Sequence, residues 1–242
     1  VEPVIQCHVP QTVAASPCHH VHVKPRLMIK TLDRVKAGTP LFYDKRDKSI
    51  RFLSPASGII SDIRFGYRRC IEEIVIEISP QHDSIPFDAF SIEMIDHLSR
   101  EAVTETLKNR GLWGLIQQFP FYDVPGADTP FEMMIISLQS SDPFAPLPRV
   151  MFSEPLAMDY FTLGIAVLQK LAKKVIVACP RSELDHLPDL QGTITHTTDD
   201  RHPGPDPKVI LYQVRSHFKE NASCTMDLQN LLYMGEFLAT GI

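Results

Sequence analysis

The spacing of apolar residues changes near residue 79, and this change predicts two domains of different class. Before it, from about Val21 to Ile78, apolar residues form short runs separated by turn residues. The candidate strands are Leu27–Ile29, Leu41–Tyr43, Ile50 with Phe52, Ile59–Ile60 and Ile74–Ile76. Short strands at this spacing predict a small all-β sandwich or barrel. The following segment, Ser79–Phe90, is rich in Pro, Asp and Ser and is the best linker candidate.

After this linker the apolar residues follow helical spacing or form continuous runs. Two helices are predicted at Ser99–Arg110, with Ser99 as N-cap and Gly111 as the terminating residue, and at Leu156–Leu171, with Pro155 in the first turn. The predicted strands are Phe131–Leu138, Val175–Cys179 and Val209–Tyr212, and a last helix carries Leu228, Leu231, Leu232 and Leu238. Near-continuous apolar strands alternating with helices favour a covered, mostly parallel sheet.

Composition excludes several classes of protein. The net charge of -5 argues against a nucleic-acid binder, which usually carries a basic face. Five cysteines without a CxxC pair indicate reduced thiols in a cytoplasm rather than a disulfide framework. The first thirty residues show no secretory signal. The most apolar stretch, Phe161–Cys179, contains three lysines, which makes it too charged to span a bilayer.

Two half-motifs in the first region resemble a known module. Val35–Phe42 contains Gly-Thr-Pro before a strand, and Phe52–Gly58 contains Ser-Pro-Ala-Ser-Gly at the matching turn of the other half. This arrangement resembles the barrel-sandwich hybrid domain of biotinyl and lipoyl carriers. The resemblance implies a small β domain built from two related halves.

The rest of the chain narrows the resemblance. The motifs are Phe42–Lys45, Ser54–Gly58, Gly66–Arg69, Ile74–Ile78, Gly111–Gly114, Phe119–Phe121, Val124–Pro125 and Ser141–Pro143. In this order they are similar to the NqrA family of the bacterial sodium-translocating NADH:quinone reductase. The family implies a barrel-sandwich hybrid domain at 1–80, a linker with a short helical segment at 81–98, and a Rossmann-like α/β domain at 99–242. That second domain is related to the flavin subunit of complex I, and the family continues beyond Ile242.

Membership of this family would imply a role inside a membrane complex. NqrA proteins are peripheral, lie on the cytoplasmic face of the inner membrane, and are held there by the other subunits. The complex couples NADH oxidation and ubiquinone reduction to sodium export, and uses FAD, FMN, riboflavin and an iron–sulfur cluster. The resemblance implies that this chain binds none of these groups and is not active alone. Ubiquinone is the candidate ligand.

The segment Gly111–Pro120 supports a cofactor-free second domain. Flavin-binding relatives place a glycine-rich loop there, whose backbone N–H groups approach a phosphate. Here only two glycines remain, no basic residue is present, and Trp113, Leu115 and Ile116 take up space that a phosphate would need. We therefore expect neither FMN nor NADH to bind tightly. The loop Arg201–Pro205 departs from the family pattern as well, because Asp206-Pro207-Lys208 follows it.

Other chemistry-bearing residues favour structural roles. The Cys and His residues near the N-terminus (Cys7, His8, Cys18, His19, His20 and His22) lack the spacing of a zinc site. Adjacent carboxylates at Glu72 and Glu73, or Asp199 and Asp200, point apart on a strand and have no nucleophile beside them. Ser137, Ser153 and Ser182 lack a nucleophile-elbow motif. Trp113, Phe119 and Phe121 fit a core or an interface better than a quinone site. We predict no catalytic, cofactor-binding or metal-binding residue in this chain.

Three alternatives stay open. The β domain could be a stand-alone carrier modified on Lys45 or Lys48, although no Met-Lys-Met motif is present and the Asp44–Lys48 run favours a solvated hairpin. The chain could instead belong to an Rnf-type electron-transport complex. It could also be a flavin- or NADH-dependent enzyme, in which case the purified protein would be yellow.

Overall fold

A computed structural model describes residues 10–126, 131–139, 145–186, 190–199, 201–214 and 222–242. The contacts between residues divide the chain into two units, Val1–Pro86 and Phe87–Ile242. The domain boundaries that the family resemblance implies, at residues 80 and 99, remain proposals.

The described part of the first unit contains seven strands. They are β1 (Thr12–Ala15), β2 (Pro25–Leu27), β3 (Arg34–Val35), β4 (Pro40–Asp44), β5 (Asp47–Leu53), β6 (Gly58–Phe65) and β7 (Ile71–Ile78). One sheet has the order β1-β7-β6-β3 and the other β2-β4-β5, with every pair antiparallel. All five predicted strand runs lie in these strands, except that Met28 and Ile29 follow the end of β2. Strands β1 and β3 were not predicted, because β1 precedes the region that begins at Val21 and β3 has only one apolar residue, Val35.

Alternation along these strands builds the first core. Ile60, Ile74 and Ile76 of one sheet are fully buried, and so are Leu41 and Phe42 of the other. Phe42 also stacks on Phe52 with 4.5 Å between ring centroids. Successive side chains on a strand point to opposite faces, so β6 and β7 give one face to this core and turn the other outward. On β4 the neighbours Leu41 and Phe42 are both buried, next to a shift in the register with β5.

The second unit combines one sheet with helices. Its helices are α1 (Ile92–His97), α2 (Arg100–Asn109), α3 (Pro148–Met151), α4 (Ala157–Leu171), α5 (Pro207–Val214) and α6 (Leu228–Thr240). Its strands are β8 (Gln117–Gln118), β9 (Met133–Ser137), β10 (Val175–Pro180), β11 (Ile194–Thr198) and β12 (Ser223–Asp227). The sheet order is β11-β10-β9-β12-β8, and only β8 runs antiparallel to its neighbour. The expectation of a covered, mostly parallel sheet is confirmed.

The sequence signals for helix α2 and for the end of helix α4 were accurate. The Ser99 hydroxyl accepts the N–H of Ala102 and caps α2, and Gly111 follows that helix with a φ of 71°. Helix α4 ends at Leu171 as predicted. It begins at Ala157, so Pro155 precedes the helix instead of lying in its first turn.

The predicted strand at Val209–Tyr212 is wrong, because these residues lie in helix α5. Asp206 accepts the N–H of Lys208 at 2.7 Å just before the helix, and Pro207 occupies its first position. A four-residue apolar run fits a strand or one turn of a helix equally well, so its length could not decide.

Three strands of this sheet were missed, and one of them, β8, consists of only two glutamines. Strand β11 is an edge strand whose Ile194 is 49% exposed, and it carries no apolar run. Strand β12 buries polar side chains that find partners inside the protein. The Thr225 hydroxyl, for example, donates to the Ile135 carbonyl at 3.0 Å.

Gly235 should be essential to the contact between α4 and α6. A Cβ at this position would overlap the carbonyl group of Tyr160 on α4, whereas a Cβ at Gly126 would meet no atom within 4 Å. We expect Gly235→Ala to lower the free energy of unfolding by about 1–3 kcal/mol, because a packed backbone cannot yield easily. Urea unfolding measures this change, with Gly126→Ala as the control. Equal stability of the two variants would contradict the packing described.

Candidate functional site

The segment Gly111–Pro120 forms a packed turn. Residues Trp113–Leu115 make a 3-10 turn, and the side chains of Trp113 and Ile116 are fully buried. The Trp113 indole N–H donates to the Pro125 carbonyl at 2.8 Å. Its ring lies 5.9 Å from that of Phe131. These large side chains therefore point into the protein core and bind the turn to its own domain.

The end of this segment is also occupied by protein contacts. Gln117 and Gln118 form β8, which pairs with Thr225 and Cys224 of β12. Burial raises the pKa of the Cys224 thiol, which keeps it protonated and unreactive. The backbone N–H of Gln118 could otherwise face a ligand phosphate. It donates instead to the Asp123 carbonyl at 2.7 Å.

Parallel sheets bind ligands most often at the carboxyl ends of their strands. Here that edge is covered in part by the loop Arg201–Pro205. The hydroxyl oxygen of Ser137, at the end of β9, lies 2.7 Å from the Gln139 carbonyl and 3.1 Å from that of Pro205. Gly204 packs so closely on the Asp199 carbonyl that no side chain would fit there. The loop thus packs against this edge of the sheet as part of the fold.

Two polar atoms at the same edge are buried without a hydrogen-bond partner among the described residues. They are the Thr198 hydroxyl at the end of β11 and the side-chain carbonyl of Gln139. Asp227, at the end of β12, is engaged as the cap of α6 and accepts the Asn230 N–H at 2.7 Å. Ser137 and Asp227 thus hold the fold together, whereas Thr198 and Gln139 each leave a buried polar atom at this edge without a described partner.

Tyr122 lies on the face of the sheet that helix α5 covers. Its ring contacts that of Phe119, and the Lys208 ammonium lies 4.5 Å from the centroid of the Tyr122 ring. Burial, with Asp206 nearby, raises the pKa of Tyr122 to about 12. The phenol is therefore neutral at physiological pH. Of the three aromatic residues weighed for quinone stacking, Trp113 and Phe119 are buried, and Phe121 is 66% exposed.

The β4–β5 hairpin presents Lys45 at its tip. Lys45 and Arg46 are the two residues between the strands, and both are exposed. Asp44 is fully buried and accepts three hydrogen bonds, from Arg46 Nε at 2.8 Å, the Arg46 N–H at 3.0 Å and the Lys24 N–H at 3.3 Å. The acidic residue therefore fixes the turn, while Lys45 extends into solvent. Lys48 lies on β5 and is also exposed.

A groove of about 510 Å³ lies in the first unit, and sequence reasoning did not anticipate it. It is lined by Arg34, Val35, Lys36, Ser57, Gly58, Ile59, Glu77, Ile78, Ser79, Pro80, Gln81 and Asp83. The volume is that of a small-molecule site. The only hint in the sequence is the Arg34-Val35-Lys36 alternation, which places two cations on one side of strand β3 and the residue after it.

The remaining candidate residues do not assemble into a site. No group of three His, Cys, Asp or Glu side chains in the described ranges could hold a metal ion. Cys18 is exposed, His20 contacts the ring of Phe52, and Cys7 and His8 lie outside the described residues.

The paired carboxylates and the serines likewise make structural contacts. Glu73 pairs with Arg64 at 2.6 Å, while Asp200 lies outside the described residues. The Ser153 hydroxyl donates to the Val150 carbonyl at 2.6 Å. The side chain of Ser182 is exposed, and this residue lies in the 3-10 turn Arg181–His186. No helix in the described part of the chain combines the length and the apolar character that crossing a bilayer requires.

Comparison with known proteins matches both units to one family. Residues 2–79 match the model of the NqrA N-terminal barrel-sandwich hybrid domain, and residues 98–242 match the NqrA second alpha/beta domain. The barrel-sandwich hybrid expected for the first region is thereby confirmed, as is an α/β class for the second.

Full-length relatives give the same result. The NqrA protein of the Na(+)-translocating NADH-quinone reductase from Hahella chejuensis is 32% identical over 90% of this chain and 48% of the relative. Its counterpart from Neisseria meningitidis is 28% identical over 90% and 48%, and that from Vibrio alginolyticus is 24% identical over 92% and 49%. The chain spans about half the length of these curated relatives.

Trp113 provides a direct test of the closed turn, because it is the single tryptophan of the chain. Its full burial predicts blue-shifted fluorescence that iodide quenches several-fold less than it quenches free tryptophan. Unfolding in urea serves as the control and should restore quenching. Efficient quenching of the folded protein would show that the turn is open to solvent.

Proposed function

The chain belongs to the NqrA family, and from that premise we propose that it works as a cofactor-free adaptor in a sodium-translocating NADH:quinone reductase. In this role it lies at the cytoplasmic face of the bacterial inner membrane and is held there by other subunits. It contributes to the reduction of ubiquinone while electrons from NADH enter elsewhere. The observation that carries the proposal is the match of both units to one family, in order and over nearly the whole chain.

The packing of the second unit supports a role without a bound flavin. In a Rossmann-like domain related to the flavin subunit of complex I, a nucleotide would need an open turn at a helix start. Here Trp113 and Ile116 hold the corresponding turn in the core. The loop Arg201–Pro205 covers much of the carboxyl edge of the sheet, where such a domain would otherwise seat its ligand.

The charge pattern also suits an adaptor better than an ion carrier. Sodium transfer across a bilayer needs carboxylates within membrane-spanning segments. Among the described carboxylates, Asp227 caps a helix, Asp44 holds a hairpin turn, and Glu73 and Glu132 form exposed ion pairs. We therefore assign the sodium path to other subunits of the complex.

Reconstitution of the complex tests this role. A complex assembled without this chain should lose electron transfer from NADH to ubiquinone, because the quinone-reducing end is incomplete. Reduction of an artificial acceptor such as ferricyanide by NADH should continue. The intact complex is the control for both rates. Ubiquinone reduction at the full rate in the depleted complex would rule the proposal out.

One observation favours a second candidate function, that of a covalently modified carrier. Lys45 lies with Arg46 at the tip of a two-residue hairpin, the geometry in which carrier domains present a modified lysine. The buried Asp44 would keep this tip rigid. The adaptor role requires no such group on Lys45.

Intact mass and absorbance of the purified protein separate these functions. For an adaptor, the mass should equal that of the polypeptide and no flavin absorbance band should appear. A lipoyl or biotinyl increment lost on Lys45→Arg, but not on Lys48→Arg, would instead establish the carrier. A yellow protein with stoichiometric flavin would contradict both the adaptor and the closed turn at Trp113.

A further inference from the structure

The groove of the first unit lies across three neighbouring strands. Arg34 of β3 is in register with Ile59 of β6, and Ile59 is in register with Glu77 of β7. All three side chains are exposed on the same face of the sheet and line the groove. Because adjacent strands lie about 4.8 Å apart, the two charged residues are separated by about 10 Å between Cα atoms.

The two charges at the ends of this row are not neutralised by any residue that the structure describes. Among the described residues, neither Arg34 nor Glu77 has an ion pair or a side-chain hydrogen bond. By contrast, the second cation of the groove, Lys36, approaches Asp83 to 3.8 Å. One guanidinium and one carboxylate therefore remain available on opposite walls.

The floor between these charges is apolar. Ile59 is 37% exposed although it lies in the centre of the row, and Pro80 adds apolar surface to the groove. Gly58 allows β6 to approach the Glu77 carbonyl of β7 so closely that a side chain would not fit.

We propose that this groove binds a small zwitterion with an apolar body, its carboxylate on Arg34 and its ammonium group on Glu77. The planar guanidinium of Arg34 can form two parallel hydrogen bonds with a carboxylate. The carboxylate of the ligand, and not its ammonium group, therefore binds Arg34. The methylene groups of the ligand would cover Ile59. The inference depends only on the first unit and holds whether or not the adaptor role is correct.

Ligands with a single sign of charge fit this groove less well. A simple anion gains Arg34 but faces the unpaired carboxylate of Glu77, while a simple cation gains Glu77 but faces the guanidinium. Like charges at such distances repel in partly desolvated sites. A nucleotide or another polyanion meets the same repulsion and carries more charge than Arg34 alone can balance.

The test is an NMR titration of methyl-labelled protein with 6-aminohexanoate, hexanoate and hexylamine. The zwitterion should shift the Ile59 methyl signals and bind at least about three-fold more tightly than either singly charged ligand. An exposed ion pair changes a binding constant by only a few-fold, which sets the size of these effects. Arg34→Gln and Glu77→Gln should each weaken binding of the zwitterion by about two- to five-fold.

The variants also distinguish this site from general adsorption. Arg34→Gln should bind 6-aminohexanoate no better than hexylamine, and Glu77→Gln should bind it no better than hexanoate. Arg26→Gln and Glu105→Gln remove exposed charges outside the groove and should leave all three affinities unchanged. The proposal is overturned if hexanoate binds as tightly as the zwitterion, or if the shifts appear away from Ile59.

Discussion

The contact between α4 and α6 is the constraint on which the second domain depends. Each helix supplies a glycine to it: Gly235 of α6 lies against the Tyr160 carbonyl, and a Cβ at Gly164 of α4 would come within 2.6 Å of Leu231. Because glycine has no side chain at these points, the two helix axes come close together and the helices pack as one layer. This layer covers one face of the sheet, while α5 covers the other through Ile210 and Leu211. The strands between them are buried on both faces, as a parallel sheet requires.

This packing determines where a ligand could bind. A sheet buried on both faces can offer only its carboxyl edge and the turns beside it. At that edge the Ser137 hydroxyl and the Arg201–Pro205 loop lie against each other, and the Gly111–Pro120 turn is filled by Trp113. In the first domain, by contrast, the outer face of a sheet remains open. Its groove has charged walls and an apolar floor, which makes this face a candidate for binding a small molecule.

The extent to which the sequence predicted this structure depended on how local each signal was. Helix α2 was placed correctly because its limits are set by Ser99 and Gly111, which act on neighbouring backbone groups. Val209–Tyr212 was assigned to a strand, since nothing within four apolar residues reveals which partner they pack on. Strand β12 was missed because its polar residues are satisfied by hydrogen bonds to distant segments, such as that of Thr225 to Ile135.

The groove was beyond prediction for the same reason. Arg34, Ile59 and Glu77 are far apart in the sequence, and only the register of three antiparallel strands brings them into one row. Trp113 shows the opposite case, since a large side chain in the Gly111–Pro120 turn is visible from the sequence alone. Its complete burial gives that turn a structural role that competes with phosphate binding. This competition is one of the reasons why an adaptor is the function we propose.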